Sequence, residues 1–229
     1  MAALPEVDGP LRTLGIVHTV SKLAPTFANL AAELLPDVEL VVIADELLLK
    51  RTVRDGATDD VTRARLRGHV AALADFGADA VLVTCSSVGA LVDEISAGSV
   101  VPVLRVDRAM AEHAVALGST VGVLATLPTT LVPTTALVEE AARASGRAVT
   151  VVPRLCEGAF AALDQGDGAR HDAIVAAELG RLSSEVDVVV LAQASMARIA
   201  ESRRPGGGPV LSSPRLAIER IASSCATTE

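Results

Sequence analysis

The chain has 229 residues and a formal net charge of −8, half of its residues are hydrophobic, and aromatics make up only 1%. This balance argues against a nucleic-acid surface, which needs clustered Lys and Arg, and no uninterrupted apolar run reaches membrane-spanning length. The first residues do not read as a secretory signal, and three cysteines without pairing or metal-ligand spacing indicate reduced thiols, so a cytoplasmic protein is expected.

Residues 1–11 contain proline and lack periodicity, which predicts a loose arm. Leu14–Val17 reads as a short apolar strand, 24–35 as a helix stopped by Pro36, and 38–44 as a second strand ending at Asp45-Glu46. A helix is expected over 58–76, a strand over 80–83, a helix over 87–97, a strand over 101–106 and a helix over 107–117. The order then returns: strand 121–125, helix 132–144, strand 148–152, helix 169–183, strand 186–191, helix 195–202, strand 209–212 and a final helix from about 214. Gly206-Gly207-Gly208 is expected to be a flexible loop, because it lacks the strand–turn–helix context of a phosphate cradle.

Three segments recur at nearly one offset, 122 − 15 = 107, 209 − 102 = 107 and 193 − 85 = 108. Leu14-Gly15-Ile16-Val17 returns as Val121-Gly122-Val123-Leu124, and Pro102-Val103-Leu104 as Pro209-Val210-Leu211. The segment from Ala78 through Thr84-Cys85-Ser86-Ser87 returns from Val186 through Ala192-Gln193-Ala194-Ser195, which sets Gln193 against Cys85. A duplicated unit with alternating strands and helices specifies an α/β fold of two pseudo-symmetric half-domains, each a parallel sheet of about four strands flanked by helices. With only three Phe and no Trp or Tyr, the cores must be Val, Leu, Ile and Ala, and a pocket built from them suits small polar substrates.

Ligands of open parallel sheets bind beyond the carboxyl ends of the strands. Those ends carry His18 and Thr19, Asp45, Thr84 to Ser87, Thr126 with Thr129 and Thr130, Cys156 and Glu157, Gln193 to Ser195, and Ser212-Ser213. Two facing sheets would put these ends along one cleft, with Cys85 on one wall and Gln193 on the other. Cys85 precedes a predicted helix, whose free N–H groups and positive dipole end favour a thiolate. A small buried cysteine filling a strand end is the competing reading. Gln193 is a neutral amide that can donate to a carboxylate or enolate but cannot carry a proton. Thr84, Ser86, Ser87, Thr126, Thr129, Thr130, Gln193 and Ser195 are candidate substrate contacts, with helix capping by Thr129 or Thr130 as the alternative for that loop. His18, Asp45, Cys156 and Glu157 are candidates for a second acid/base. His171 is expected to be exposed, His69 and His113 to have no role, and Cys225 to play no part. No set of residues has metal spacing and no Ser/His/Asp order is evident.

The duplicated halves, the Leu14-Gly15-Ile16-Val17 start and the Thr84-Cys85-Ser86-Ser87 strand end resemble the aspartate/glutamate racemase superfamily, which includes hydantoin racemases, maleate isomerases and arylmalonate decarboxylases. The resemblance runs from about residue 12 to 222. It implies flavodoxin-like half-domains, with 12–106 and 209–229 forming the first and 107–208 the second, so that the final strand and helix return to the first half. It also implies a cofactor-independent enzyme that uses two cysteines, one per half, on opposite faces of the substrate α-carbon. Cys85 matches the first cysteine and Gln193 stands at the second, which breaks the two-thiol mechanism. Arylmalonate decarboxylases use one cysteine, but at the second-half position, the mirror of this chain.

These readings lead to a racemase or isomerase acting at the α-carbon of a small carboxylate, with Cys85 as the acid/base and a homodimer or higher homo-oligomer implied by the resemblance. Two alternatives stay open: a one-cysteine decarboxylase or lyase, and a carboxylate-binding protein without catalysis.

Overall fold

The structure is a computed structural model that describes residues 10–201 and 208–225. The expected arm over 1–11 lies almost wholly outside those residues, as do most of the triglycine loop and the end of the helix expected over 195–202. The chain divides into two compact units: one runs to Val106 and is taken up again from Pro214, and the other runs from Asp107 to Ser213.

In the first unit, β1 (Thr13–His18), β2 (Glu39–Ala44), β3 (Ala80–Val83) and β4 (Val103–Arg105) form a parallel sheet in the order β2-β1-β3-β4. Between the strands run α1 (Ala24–Leu34), α2 (Glu46–Asp55), α3 (Asp60–Phe76) and α4 (Gly89–Ser96). The second unit holds α5 (Arg108–Leu117), β5 (Thr120–Ala125), α6 (Pro128–Ala144), β6 (Thr150–Leu155), α7 (Ala159–Asp164), α8 (Gly168–Leu182), β7 (Val188–Leu191), α9 (Ala197–Glu201) and β8 (Val210–Ser212). Its sheet is also parallel, in the order β6-β5-β7-β8. Last comes α10 (Ser213–Cys225). β8 thus pairs with β7, which corrects the expectation that the strand at 209–212 returns to the first half.

The two sheets are built by the same devices. Asp79 accepts from the backbone N–H groups of Arg12 and Thr13 at 2.7 and 2.8 Å, and Asp187 accepts from those of Ser119 and Thr120 at 2.9 and 2.8 Å. Each carboxylate therefore ties the start of its own strand to the strand paired with it. Gly15 and Gly122 occupy corresponding places under a helix: a Cβ would meet Leu73 at 3.0 Å in the first case and Leu182 at 2.8 Å in the second. Only glycine lets α3 and α8 seat that closely on their central strands. The interiors are aliphatic, with Val17, Val81, Val83, Leu66, Val70 and Leu73 packed together in one unit, and Leu124, Val175, Leu179, Leu182, Val189 and Leu191 in the other.

Several boundaries differ from the sequence reading for identifiable reasons. α2 is an additional helix, started by Asp45, whose Oδ1 accepts from Leu47 N at 3.1 Å. α6 begins at Pro128 rather than 132, so Thr129 and Thr130 lie inside its first turn and neither is its N-cap. The strand expected at 148–152 is Thr150–Leu155 and runs through Pro153, which an edge strand tolerates because one side of its backbone makes no ladder bonds.

Candidate active site

In each sheet the chain reverses its winding at the central pair, β1/β3 and β5/β7. Beyond the carboxyl ends of such a pair the diverging connections leave a crevice. The candidate residues fall into two sets, one in each unit.

In the first unit, His18 ends β1 and Thr84 follows β3. His18 is fully buried, packs against Phe27 with the rings tilted and their centroids 5.4 Å apart, and its Nδ1 lies 2.8 Å from Thr84 Oγ1. The Thr84 hydroxyl also lies 3.3 Å from Val17 O, which accepts from the Thr84 backbone N–H at 3.0 Å as well. The other ring nitrogen, Nε2, is buried without a hydrogen-bond partner. Burial lowers the His18 pKa from its ordinary 6.5 to about 4, so the ring is neutral at physiological pH.

Cys85 is buried and extended, and it caps a 3-10 turn, Ser86–Val88, that leads directly into α4. Its side chain packs with Val17, Val83 and Val88 on the sheet face covered by α2, α3 and α4. His18 follows Val17 and so leaves the sheet on the other face, because side chains alternate along a strand. Ser86 and Ser87 are buried beside the thiol in sequence. Asp45 is committed elsewhere: besides capping α2, it pairs with Arg65 and accepts from His69 Nε2 at 2.6 Å. Burial alone would raise its pKa, but these hydrogen bonds outweigh that and hold it below the ordinary carboxylate range.

In the second unit, Thr126 follows β5 and Gln193 follows β7. The Gln193 Oε1 accepts from Thr126 N at 2.6 Å, and its Nε2 donates to Thr126 Oγ1 at 2.7 Å. Because the hydroxyl accepts this bond, its own hydrogen remains available to a ligand. Cys156, at the place Asp45 takes in the first unit, is fully buried with Leu124, Ala159 and Val175. Burial, with a smaller push from the Glu178 charge, raises its thiol to about 12. Glu157 beside it is exposed. Thr130 is buried in the first turn of α6, and Ser195 sits in a 3-10 turn, where its carbonyl accepts from Arg198 Nη1 at 2.8 Å. His171 is buried, not exposed as expected: it lies in the first turn of α8, with Nδ1 2.7 Å from Asp172, which is in turn paired with Arg198.

The structure thus brings together His18 with Thr84, and Thr126 with Gln193, and sends Cys156 into an apolar core. One residue the sequence reading passed over is Arg105, a buried arginine at the end of β4. The available signal was a charge at a position with the same parity as the core residue Val103. Among the described residues, no group of three or more His, Cys, Asp or Glu could hold a metal ion. No described helix is long and apolar enough to cross a membrane.

Residues 17–221 match the model of a protein family described as Asp/Glu/Hydantoin racemase. A comparison by sequence with curated proteins gives no match. Among solved structures, the chain is similar to glutamate racemase isoform RacE1 from Bacillus anthracis, with a TM-score of 0.76 and 17% identity over 94% of this chain and 82% of that one. It is also similar to aspartate racemase from Picrophilus torridus, with a TM-score of 0.72 and 15% identity over 93% of this chain and 94% of that one. A single-site variant of arylmalonate decarboxylase gives a TM-score of 0.56 and 17% identity over 94% of each chain. At these identities the likeness is one of fold.

Proposed function

The chain belongs to the Asp/Glu/hydantoin racemase family, and on that premise we propose that it is a cofactor-independent racemase or isomerase that works at the α-carbon of a small carboxylate, with Cys85 as its proton carrier. The observation that carries this reading is the position of Cys85, beyond the carboxyl end of β3 at the winding reversal of its sheet. As thiolate, Cys85 takes the α-proton, and the electron pair of the broken C–H bond delocalises into the adjacent carboxylate as an enediolate. A water molecule on the opposite face gives the enediolate its proton, which yields the inverted product, and the hydroxide left behind takes the proton held by the Cys85 thiol. Within the second unit, the Thr126 hydroxyl accepts from Gln193 and keeps its own hydrogen free, which makes it a donor suited to a carboxylate oxygen.

A second reading is favoured by the Gln193 amide. Gln193 occupies the position that answers Cys85 in the duplication and carries no exchangeable acid/base group, while Cys156, with its thiol raised to about 12, stays protonated at neutral pH. A reaction that needs one proton carrier fits this inventory: a malonate loses CO₂, the C–C bonding pair becomes the enediolate, and the Cys85 thiol protonates it. Incubation with a panel of α-substituted carboxylates and malonates, followed by chiral chromatography and CO₂ measurement, separates the readings. Enantiomer interconversion without CO₂ supports the racemase, CO₂ with a single-enantiomer product supports the decarboxylase, and saturable binding with neither product overturns both.

A further inference from the structure

Arg105 is the last residue of β4, and its side chain is buried. Val103 and Arg105 share parity along the strand, and Val103 packs in the apolar cluster that contains Val81, Val83 and Cys85. The arginine therefore leaves the sheet on the face that carries Cys85. In register Arg105 lies opposite Val83, and Cys85 is the next residue on that face along the neighbouring chain. The guanidinium rests over Gly89, the first residue of α4, where any Cβ would collide with it. Its Nη1 donates to Asp93 Oδ2 at 2.6 Å, one turn further along the same helix. Gly89 is joined to Cys85 by the single 3-10 turn Ser86–Val88, so the cation is packed on the connection that positions the thiol.

We propose that Arg105 is a positioning residue for Cys85, a fixed positive charge that favours the thiolate and whose strength is set by its pairing with Asp93. The inference deepens the proposed function and rests on Cys85 being the proton carrier. A thiolate packed among Val17, Val83 and Val88 is opposed by desolvation, and a nearby cation offsets that penalty most effectively where water is scarce. Guanidinium suits the task because it stays charged throughout the pH range of a thiol titration. Other charged groups lie on the elements around Cys85, and Asp107, two residues beyond Arg105, is a buried carboxylate. Asp45 is held by Arg65 and His69 at the α2 and α3 side, and the partly exposed Glu94 of α4 is paired with Arg63 and Arg67. His18 is neutral and on the other face of the sheet. Arg65 is half exposed, so Arg105 is the buried cation on that face among the described residues.

The test is the pH dependence of Cys85 alkylation by iodoacetamide in the full chain carrying Cys225→Ser, read by peptide mass spectrometry. Cys156 serves as the unreactive internal control. Arg105→Gln should raise the midpoint of the reaction by about one pH unit, and Arg105→Lys should bring it back towards wild type. Asp93→Asn, at an exposed position, should lower it, with circular dichroism as the check on the fold. A purely structural role would not move the midpoint in opposite directions for the two members of one ion pair. Unchanged midpoints in Arg105→Gln and Asp93→Asn, or shifts of the same sign, would overturn the inference. Alkylation needs no substrate, so an unshifted midpoint in a protein that turns over its substrate counts against Arg105 alone. A shifted midpoint in a protein with no turnover upholds the Arg105 effect and counts against the catalytic reading.

Discussion

Gln193 grips Thr126 at two points, accepting from its backbone N–H at 2.6 Å and donating to its hydroxyl at 2.7 Å. The residue that stands where the duplication places Cys85 in the other half is thus a clamp between the ends of β7 and β5, and its chemistry is to aim the Thr126 hydroxyl. Gln193→Ala leaves the Thr126 N–H without its acceptor and should cost about 1–3 kcal/mol in urea unfolding. Gln193→Glu keeps the acceptor but turns the Thr126 hydroxyl back to donate to the carboxylate. It should restore most of the stability while raising KM.

Cys156 offers a sharper contrast with Cys85 than their shared chemistry suggests. With its thiol raised to about 12 inside an apolar cluster, Cys156 should resist alkylation until the chain unfolds. Cys156→Ala should change kcat by less than about twofold and reduce stability by about 1 kcal/mol. A large loss of kcat with KM unchanged would identify it as the second acid/base after all.

The pH response of the fold should carry the signature of His18. Its pKa is lowered to about 4 in the folded protein, against 6.5 for the ordinary side chain. The unfolded chain therefore takes up a proton below pH 6.5 that the folded chain refuses until about pH 4. Stability is fully present above 6.5 and declines as the pH falls through that window, by up to about 3 kcal/mol for this one group. Denaturant titrations at a series of pH values should show that slope in wild type and a shallower one in His18→Gln.

Much of this architecture is legible in the sequence because buried parallel strands are continuous runs of Val, Leu and Ile, and because the duplication repeats them. The departures arise where local signals compete. Pro133 inside α6 draws the predicted start of that helix too far along, and Pro153 hides the last half of β6, since proline reads as a stop unless the strand is known to be an edge. The Leu47-Leu48-Leu49 run carries too little periodicity to declare α2, a helix that leaves Leu47 exposed. His171 looks like a surface residue in a polar turn, and only tertiary packing buries it beside Asp172. Of the candidate site, the strand-end residues follow from topology. The hydrogen bonds that make Gln193 a clamp on Thr126 and tie Asp45 to Arg65 and His69 do not, because they join residues far apart in the chain.

The equivalent glycines of the two central strands should behave alike. Gly15→Ala and Gly122→Ala each press a methyl group against a buried leucine, Leu73 and Leu182 respectively. Each should destabilise its unit by about 1–3 kcal/mol, with the larger loss at Gly122, where the approach is closer. Thermal unfolding monitored by circular dichroism reads both.

The central claim is that Cys85 carries a proton to or from carbon. The most direct measurement is α-proton exchange in D₂O, followed by NMR over a panel of small α-substituted carboxylates, for the wild-type protein and Cys85→Ala. The expected result is exchange at the α-carbon in wild type and a loss of at least about 100-fold in the variant, with unchanged circular dichroism. Exchange that persists in Cys85→Ala at the wild-type rate would contradict the claim and assign the proton transfer to another group.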